Sequence, residues 1–290
     1  MRSKLFGSWI YCRKISLTAE VRQSVIIPIR VSQAMLGRSY RMRYVDSCFS
    51  EIEVRRDIAF TEAVNNLGEL EKLKLDVYMP QGDTLERRPA ILWVHGGGFR
   101  PGNDKSQSYI VTFAERFAQK GYVCVSADYR VREQPGDDFQ GTMSDALADV
   151  TQALEWIRAN GSQYGIDTER LFIAGGSAGG MISVNLCYGD GSYGTQADLS
   201  GVIGMLNLWG TPGNLKLALH SGSIPVLTVH GTADQLVSIE NSYRLIEQLK
   251  HAGVPHVFIP LEGAPHTPVK HVDELDEAFS QFLHGILAKL

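Results

Sequence analysis

Leu171-Phe-Ile-Ala-Gly-Gly-Ser177-Ala-Gly-Gly-Met181 is the stretch on which the reading of this chain turns. Its first four residues are apolar and bounded by glycine, the pattern of a short buried strand, and residues 181–188 continue as a helix with few polar positions. A serine between a buried strand and a helix sits on a strained turn that tolerates only small neighbours, and Gly175, Gly176, Ala178, Gly179 and Gly180 all qualify. The turn lifts the hydroxyl over the positive end of the helix, where the following amide can face a developing oxyanion. The bland alternative is a glycine-rich connection with an incidental serine. The rest of the chain decides between the two.

Outward from this stretch, continuously apolar runs recur at residues 90–94, 122–127, 201–206, 226–229 and 257–261. Helical candidates at 106–120, 143–160, 181–188 and 239–251 separate most of them, and a last one, 273–290, closes the chain. Strands alternating with helices at this spacing imply right-handed crossovers and a mainly parallel sheet with helices on both faces. Two earlier segments, 51–60 and 72–79, instead alternate apolar with polar residues, the period of half-exposed strands. Asn65-Asn66-Leu67-Gly68 supplies a turn between them and Pro80 ends the second, which predicts an antiparallel hairpin at one edge of the sheet.

At 290 residues and 44% hydrophobic content the chain can bury one large core. A net charge of −4 gives no reason to expect nucleic acid as a partner. The charge is uneven: residues 1–45 hold nine Lys or Arg against the single acid Glu20. This divides the chain into a basic arm over residues 1–50 and an acidic body over 51–290. The arm is too polar for a secretory signal, since Val25-Ile26-Ile27 is cut by Pro28 and Arg30. An organelle presequence is the lesser alternative to an arm packed on the body, and a cytoplasmic location is expected. No run reaches the length of a membrane span. Cys12, Cys48, Cys124 and Cys187 lack the spacing of a metal or redox site.

In an open parallel sheet chemistry collects beyond the carboxyl ends of the strands, so the residues following each apolar run are the candidates. After 90–94 comes His95-Gly96-Gly97-Gly98-Phe99, whose glycines expose backbone N–H groups and can supply a second oxyanion donor beside the amide of Ala178. After 226–229 comes His230-Gly231-Thr232-Ala233-Asp234, a carboxylate just beyond a strand end. After 257–261 comes Glu262-Gly263-Ala264-Pro265-His266, an imidazole in the last loop. A serine hydroxyl is a poor nucleophile near neutral pH; it needs a base, and the base needs a partner to fix its tautomer. Glu262 is the competitor to Asp234, and His271 the lesser rival to His266. His95 and His230 read as structural, His251 and His256 as a helix end and a strand start, and His220 and His284 have no convergent partner.

These motifs in this order resemble the α/β-hydrolases. His95-Gly-Gly-Gly-Phe99 with Gly175-Gly-Ser177-Ala-Gly-Gly180 is similar to the carboxylesterases of the hormone-sensitive-lipase and feruloyl/acetyl-xylan esterase branches. Leu75-Asp-Val-Tyr-Met-Pro80, Ala127-Asp-Tyr-Arg130 and Tyr164-Gly-Ile-Asp167 resemble further landmarks of those proteins. The resemblance implies a cofactor-free, metal-free ester hydrolase with Ser177 as nucleophile, Asp234 as orienting acid, His266 as base, and the amides of Gly97, Gly98 and Ala178 as oxyanion hole. Gly176 departs from the acidic residue of many lipase-like relatives and leans toward the feruloyl/acetyl-xylan branch. Phe99, Tyr129, Trp209 and Leu236 are substrate-contact candidates by adjacency. The expected partner is a small-molecule ester, with a homodimer as the expected assembly.

Relatives often insert cap helices near the strand that ends here at Leu208, but only residues 209–224 stand before the next strand. The arm is therefore expected to cover the site, with Phe6, Trp9, Ile10 or Tyr11 as its apolar contacts. Three rival readings stand beside the esterase. A serine peptidase of the oligopeptidase type usually carries a large gating domain. A non-catalytic receptor on the same scaffold lacks the histidine found here at 266, and a dienelactone-hydrolase-like enzyme favours cysteine where Ser177 stands.

Overall fold

In a computed structural model describing residues 41–213 and 217–290, the run beginning at Leu171 lies inside an eight-stranded sheet. Its strands are β1 (Ile52–Val64), β2 (Leu70–Pro80), β3 (Arg88–Val94), β4 (Val123–Ala127), β5 (Ile166–Gly176), β6 (Val202–Leu208), β7 (Val226–Gly231) and β8 (His256–Leu261). They are ordered β1-β2-β4-β3-β5-β6-β7-β8. β1 pairs antiparallel with β2 and β2 antiparallel with β4, and every pairing from β4 to β8 is parallel. This is the expected mainly parallel sheet with its hairpin at one edge.

Alternation along β3 shows how the two faces are covered. Ala90, Leu92 and Val94 turn to one side and pack with α2 (Phe139–Asn160) and α3 (Ala178–Tyr188) through Met143, Leu147, Val150, Leu154 and Ile182. Ile91 and Trp93 turn to the other and meet α1 (Ser108–Gln119) and α5 (Val272–Leu287) through Ile110, Phe113, Phe117 and Phe279. Trp93 stacks on Phe113 with centroids 5.6 Å apart. A strand wedged between two helical layers must be apolar at successive positions, which is why the parallel strands carry unbroken apolar runs. Against β6 and β7, Leu245 and Leu249 of α4 (Glu240–Ala252) add a third cluster.

The structure corrects several expectations. β2 is half-exposed only at its start: from Leu75 onward it is buried, Asp76 included, because β4 lies on its far side. Asp76 is reconciled with burial by Lys105 Nζ at 3.2 Å, Arg56 at 3.3 Å and the Asp57 N–H at 2.8 Å. Register shifts along β1, with Asp57 at φ 58°, twist this outer strand. Residues 41–50, assigned to the arm from sequence, are part of the body. Tyr44 N–H donates to Lys120 O, the Cys48 and Phe49 N–H to Gln119 O, and Arg43 pairs with Asp83. α2 begins at Phe139, four residues earlier than expected, because Asp138 caps it by accepting from the Gly141 N–H at 2.9 Å. The proposed cover by Phe6, Trp9, Ile10 or Tyr11, like the presequence alternative, lies outside the described residues.

Candidate active site

β5 ends at Gly176 and α3 begins at Ala178, so Ser177 alone makes the turn, at φ 56°, ψ −117°. Such a φ is strained for a residue with a side chain, and it aims the hydroxyl away from both elements. The neighbouring glycines are explained by contact. A methyl on Gly175 would collide with Gly179 O, and one on Gly179 with Val94 O, so strand and helix touch through bare backbone. A methyl on Gly176 would lie 2.5 Å from Tyr109 Oη. The phenol of Tyr109 thus fills the space in which an acidic side chain would have to start.

The acid and base reach this serine from the next strands but one and two. His266 Nε2 is 2.8 Å from Ser177 Oγ, and His266 Nδ1 is 2.7 Å from Asp234 Oδ2. The Asp234 side chain is fully buried whereas His266 keeps 14% exposure, so the imidazole stands between the interior and the open side of the site. Burial works to raise the Asp234 carboxyl; the Val237 N–H, His266 and the Leu236 N–H outweigh it and hold the group below the usual carboxylate range. It is therefore anionic at neutral pH and able to accept from Nδ1. Gly231 brings the two loops together, because any side chain there would strike Ala264 O. Glu262 is exposed and away from this chain of contacts, and the His271 imidazole meets Glu274, at 3.0 Å.

The oxyanion candidates sit where backbone donors are free. Among the described residues, the N–H groups of Gly97, Gly98 and Ala178 donate to no acceptor. Gly97 (φ 106°) and Gly98 (φ 63°) adopt conformations suited to glycine, and Phe99 follows at φ 63°. The loop is shaped by residues whose role sequence reasoning missed. Gly96 N–H donates to Gln107 Oε1 at 2.8 Å, and Gln107 Nε2 donates to Asn103 Oδ1 at 3.0 Å. Asn103 in turn presses on Gly97, where a Cβ would lie 2.5 Å from it. Buried His95 donates from Nδ1 to Gly96 O at 2.8 Å. Only the four-residue spacing of Asn103 and Gln107, just before a helix, hinted at this contact.

The four substrate-contact candidates are placed differently. Trp209 (φ 44°) lies edge-on to His266, centroids 6.5 Å apart, and Phe99 continues the glycine loop, packing against Tyr129 and Phe139. Tyr129 is buried beneath that loop. Its ring stacks on His95 at 4.1 Å and its hydroxyl donates to His95 O at 3.1 Å, so its contacts are with the loop's support. Leu236 is 79% exposed beside the acid. The arrangement as a whole can take a proton from Ser177 Oγ and offer backbone donors to an oxyanion formed nearby.

Residues 75–195 match the family model BD-FAE. Over 233 residues the chain is 25% identical to Esterase LipC of Mycobacterium tuberculosis, covering 66% of this chain and 56% of that protein. Over 110 residues it is 34% identical to the probable carboxylic ester hydrolase LipM of the same organism, covering 38% and 24%. The chain therefore spans about half or less of the curated relatives' length. Among solved structures, esterase 2 of Thermogutta terrifontis, phosphonylated by cyclosarin, superposes with a TM-score of 0.62 at 25% identity, covering 82% of this chain and 96% of that one. With the strand order, the serine turn between β5 and α3 and these likenesses together, the chain belongs to the α/β-hydrolase superfamily.

Proposed function

We propose that this chain is a serine carboxylic-ester hydrolase working through an acyl-enzyme on small to medium esters of short-chain acyl, acetyl or feruloyl type. The observation that carries the reading is the continuous run from Ser177 Oγ through His266 to the buried Asp234, 2.8 Å and 2.7 Å long at its two links. Ser177 Oγ attacks the ester carbonyl carbon while His266 Nε2 takes its proton, and Asp234 stabilises the imidazolium that results. The carbonyl oxygen, now an anion, is held by the amides of Gly97, Gly98 and Ala178. His266 returns the proton to the departing alcohol. Water then attacks the acyl-serine by the same route, releasing the acid and restoring the hydroxyl. Phe99 and Trp209 flank the bound ester, with Leu236 at its entrance.

The names of the relatives support an ester as substrate: LipC is an esterase and a plant relative is a probable isoprenylcysteine alpha-carbonyl methylesterase. A cytoplasmic location fits this reading; among the described residues no helix is long and apolar enough to cross a membrane. A homodimer does too, since β8 pairs only with β7 among the described residues and leaves Val257 39% exposed. The test is Ser177→Ala assayed on p-nitrophenyl acetate, acetylated sugars and feruloyl esters. Turnover should fall about 10⁴-fold or more with the fold retained, and labelling by a serine-directed phosphonate should vanish. Turnover surviving the substitution would sink the reading.

A further inference from the structure

His230 ends the apolar part of β7, four residues before Asp234, and is completely buried. Its sequence position gives it no task beyond packing, but its contacts are specific. Nε2 lies 3.0 Å from Asp234 Oδ2 and 2.8 Å from Val237 O. Both are acceptors, so Nε2 carries the hydrogen. Nδ1 lies 2.8 Å from Ser242 Oγ in the first turn of α4, and a hydroxyl donating to Nδ1 selects the same tautomer. Asp234 Oδ2 is also the oxygen that meets His266 Nδ1. One carboxylate oxygen therefore receives two imidazoles, while Oδ1 receives the Leu236 N–H at 2.8 Å and the Val237 N–H at 2.9 Å. The carboxylate cannot turn without disturbing all four donors.

We propose that His230, fixed by Ser242, is a positioning residue for the catalytic acid: it holds Asp234 in the orientation from which that carboxylate sets the tautomer and direction of His266. The inference rests on the ester-hydrolase reading above. It makes the working unit a line of five side chains, Ser242, His230, Asp234, His266 and Ser177, with its far end anchored on α4. Such outer partners act through the groups they orient, and their loss appears in the chemical step rather than in substrate binding.

The two carboxamides separate this role from packing. Glutamine carries an N–H to the place of the imidazole Nε2 and can still donate to Asp234; asparagine reaches only the place of Nδ1. kcat and KM for p-nitrophenyl acetate are measured on the full chain, on His230→Gln, His230→Asn and Ser242→Ala, with thermal unfolding in parallel. His230→Asn should lower kcat roughly ten- to a hundredfold with KM within about twofold, the scale of one hydrogen bond to a charged group. His230→Gln should recover most of that loss. Ser242→Ala, which removes the hydroxyl that anchors Nδ1 and loosens the ring, should lower kcat about three- to tenfold at unchanged KM. Equal losses for both carboxamides, or wild-type kcat in a folded His230→Asn chain, would overturn the proposal. Should neither His230 variant fold, Ser242→Ala decides: a lower kcat at unchanged KM supports the role and wild-type kcat refutes it. Turnover surviving Ser177→Ala is a separate outcome that removes the ester-hydrolase reading itself.

Discussion

The two sides of the site are built by opposite means. On the serine side, β5, α3 and the loop after β3 approach so closely that Gly175 and Gly179 have no room for a methyl, and the geometry follows from side chains that are absent. On the acid and base side, Asp234 and His266 stand on loops after β7 and β8 and are held by hydrogen bonds from His230, Leu236 and Val237. Steric exclusion makes the strand-to-helix contact at Gly175 and Gly179 intolerant of an added atom. Directional bonding makes the second side intolerant of a changed donor or acceptor at constant size.

That contrast can be broken or sharpened by experiment. The largest effect belongs to Asp234→Asn, an isosteric change that lets an amide N–H face His266 Nδ1 and favours the wrong tautomer. kcat should fall about 10⁴-fold, with thermal stability lowered as well because the new N–H also faces His230 Nε2–H, and a kcat loss below tenfold would show that shape rather than bonding rules this side. Gly179→Ala should come next. Its methyl meets backbone at Val94 O and His95 O, which can retreat only if strand and helix separate, so a loss of about 3 kcal/mol or more in urea unfolding is expected.

His95 gives a pH-dependent effect of the same order. Burial drives its pKa from an ordinary 6.5 down to about 4, against a weaker upward pull from the Gly96 carbonyl. The unfolded chain accepts a proton near 6.5 while the folded chain refuses it, so this contribution is complete above pH 6.5 and is lost as pH falls toward 4. Urea unfolding at pH 7 and pH 4.5 should differ by about 2 to 3 kcal/mol from this group, and His95→Gln should remove that difference. The smallest effect is Gly98→Ala. Nothing lies within 4 Å of the added methyl, so only the strain of φ 63° remains, about 1 kcal/mol by thermal unfolding. If Gly98→Ala proved as harmful as Gly179→Ala, backbone conformation and not contact would govern the glycine-rich side.

The serine side was legible because excluded volume writes itself into composition: small residues cluster at 175–180 and 96–97 whatever else the chain does. Ser177, Asp234 and His266 were legible by position, each lying just past an apolar run. Gln107, Asn103 and Tyr109 were not, since their part depends on how α1 lies across the ends of β3 and β5, which no local pattern records. His230 and Ser242 are twelve residues apart on a strand and a helix, and only packing makes them neighbours. The burial of β2 escaped the alternating pattern because Asp76, polar by type, is an interior ion-pair partner of Lys105. Residues 41–50 escaped because their cationic composition hid the contacts of Tyr44 and Phe49.

The separation of 89 residues between Ser177 and His266 has a consequence during synthesis. A ribosome delivers the hydroxyl, its turn and the glycine loop well before the last strand and the imidazole beyond it. On the ester-hydrolase reading the hydroxyl stays an inert alcohol until the segment carrying His266 has emerged and packed beside it.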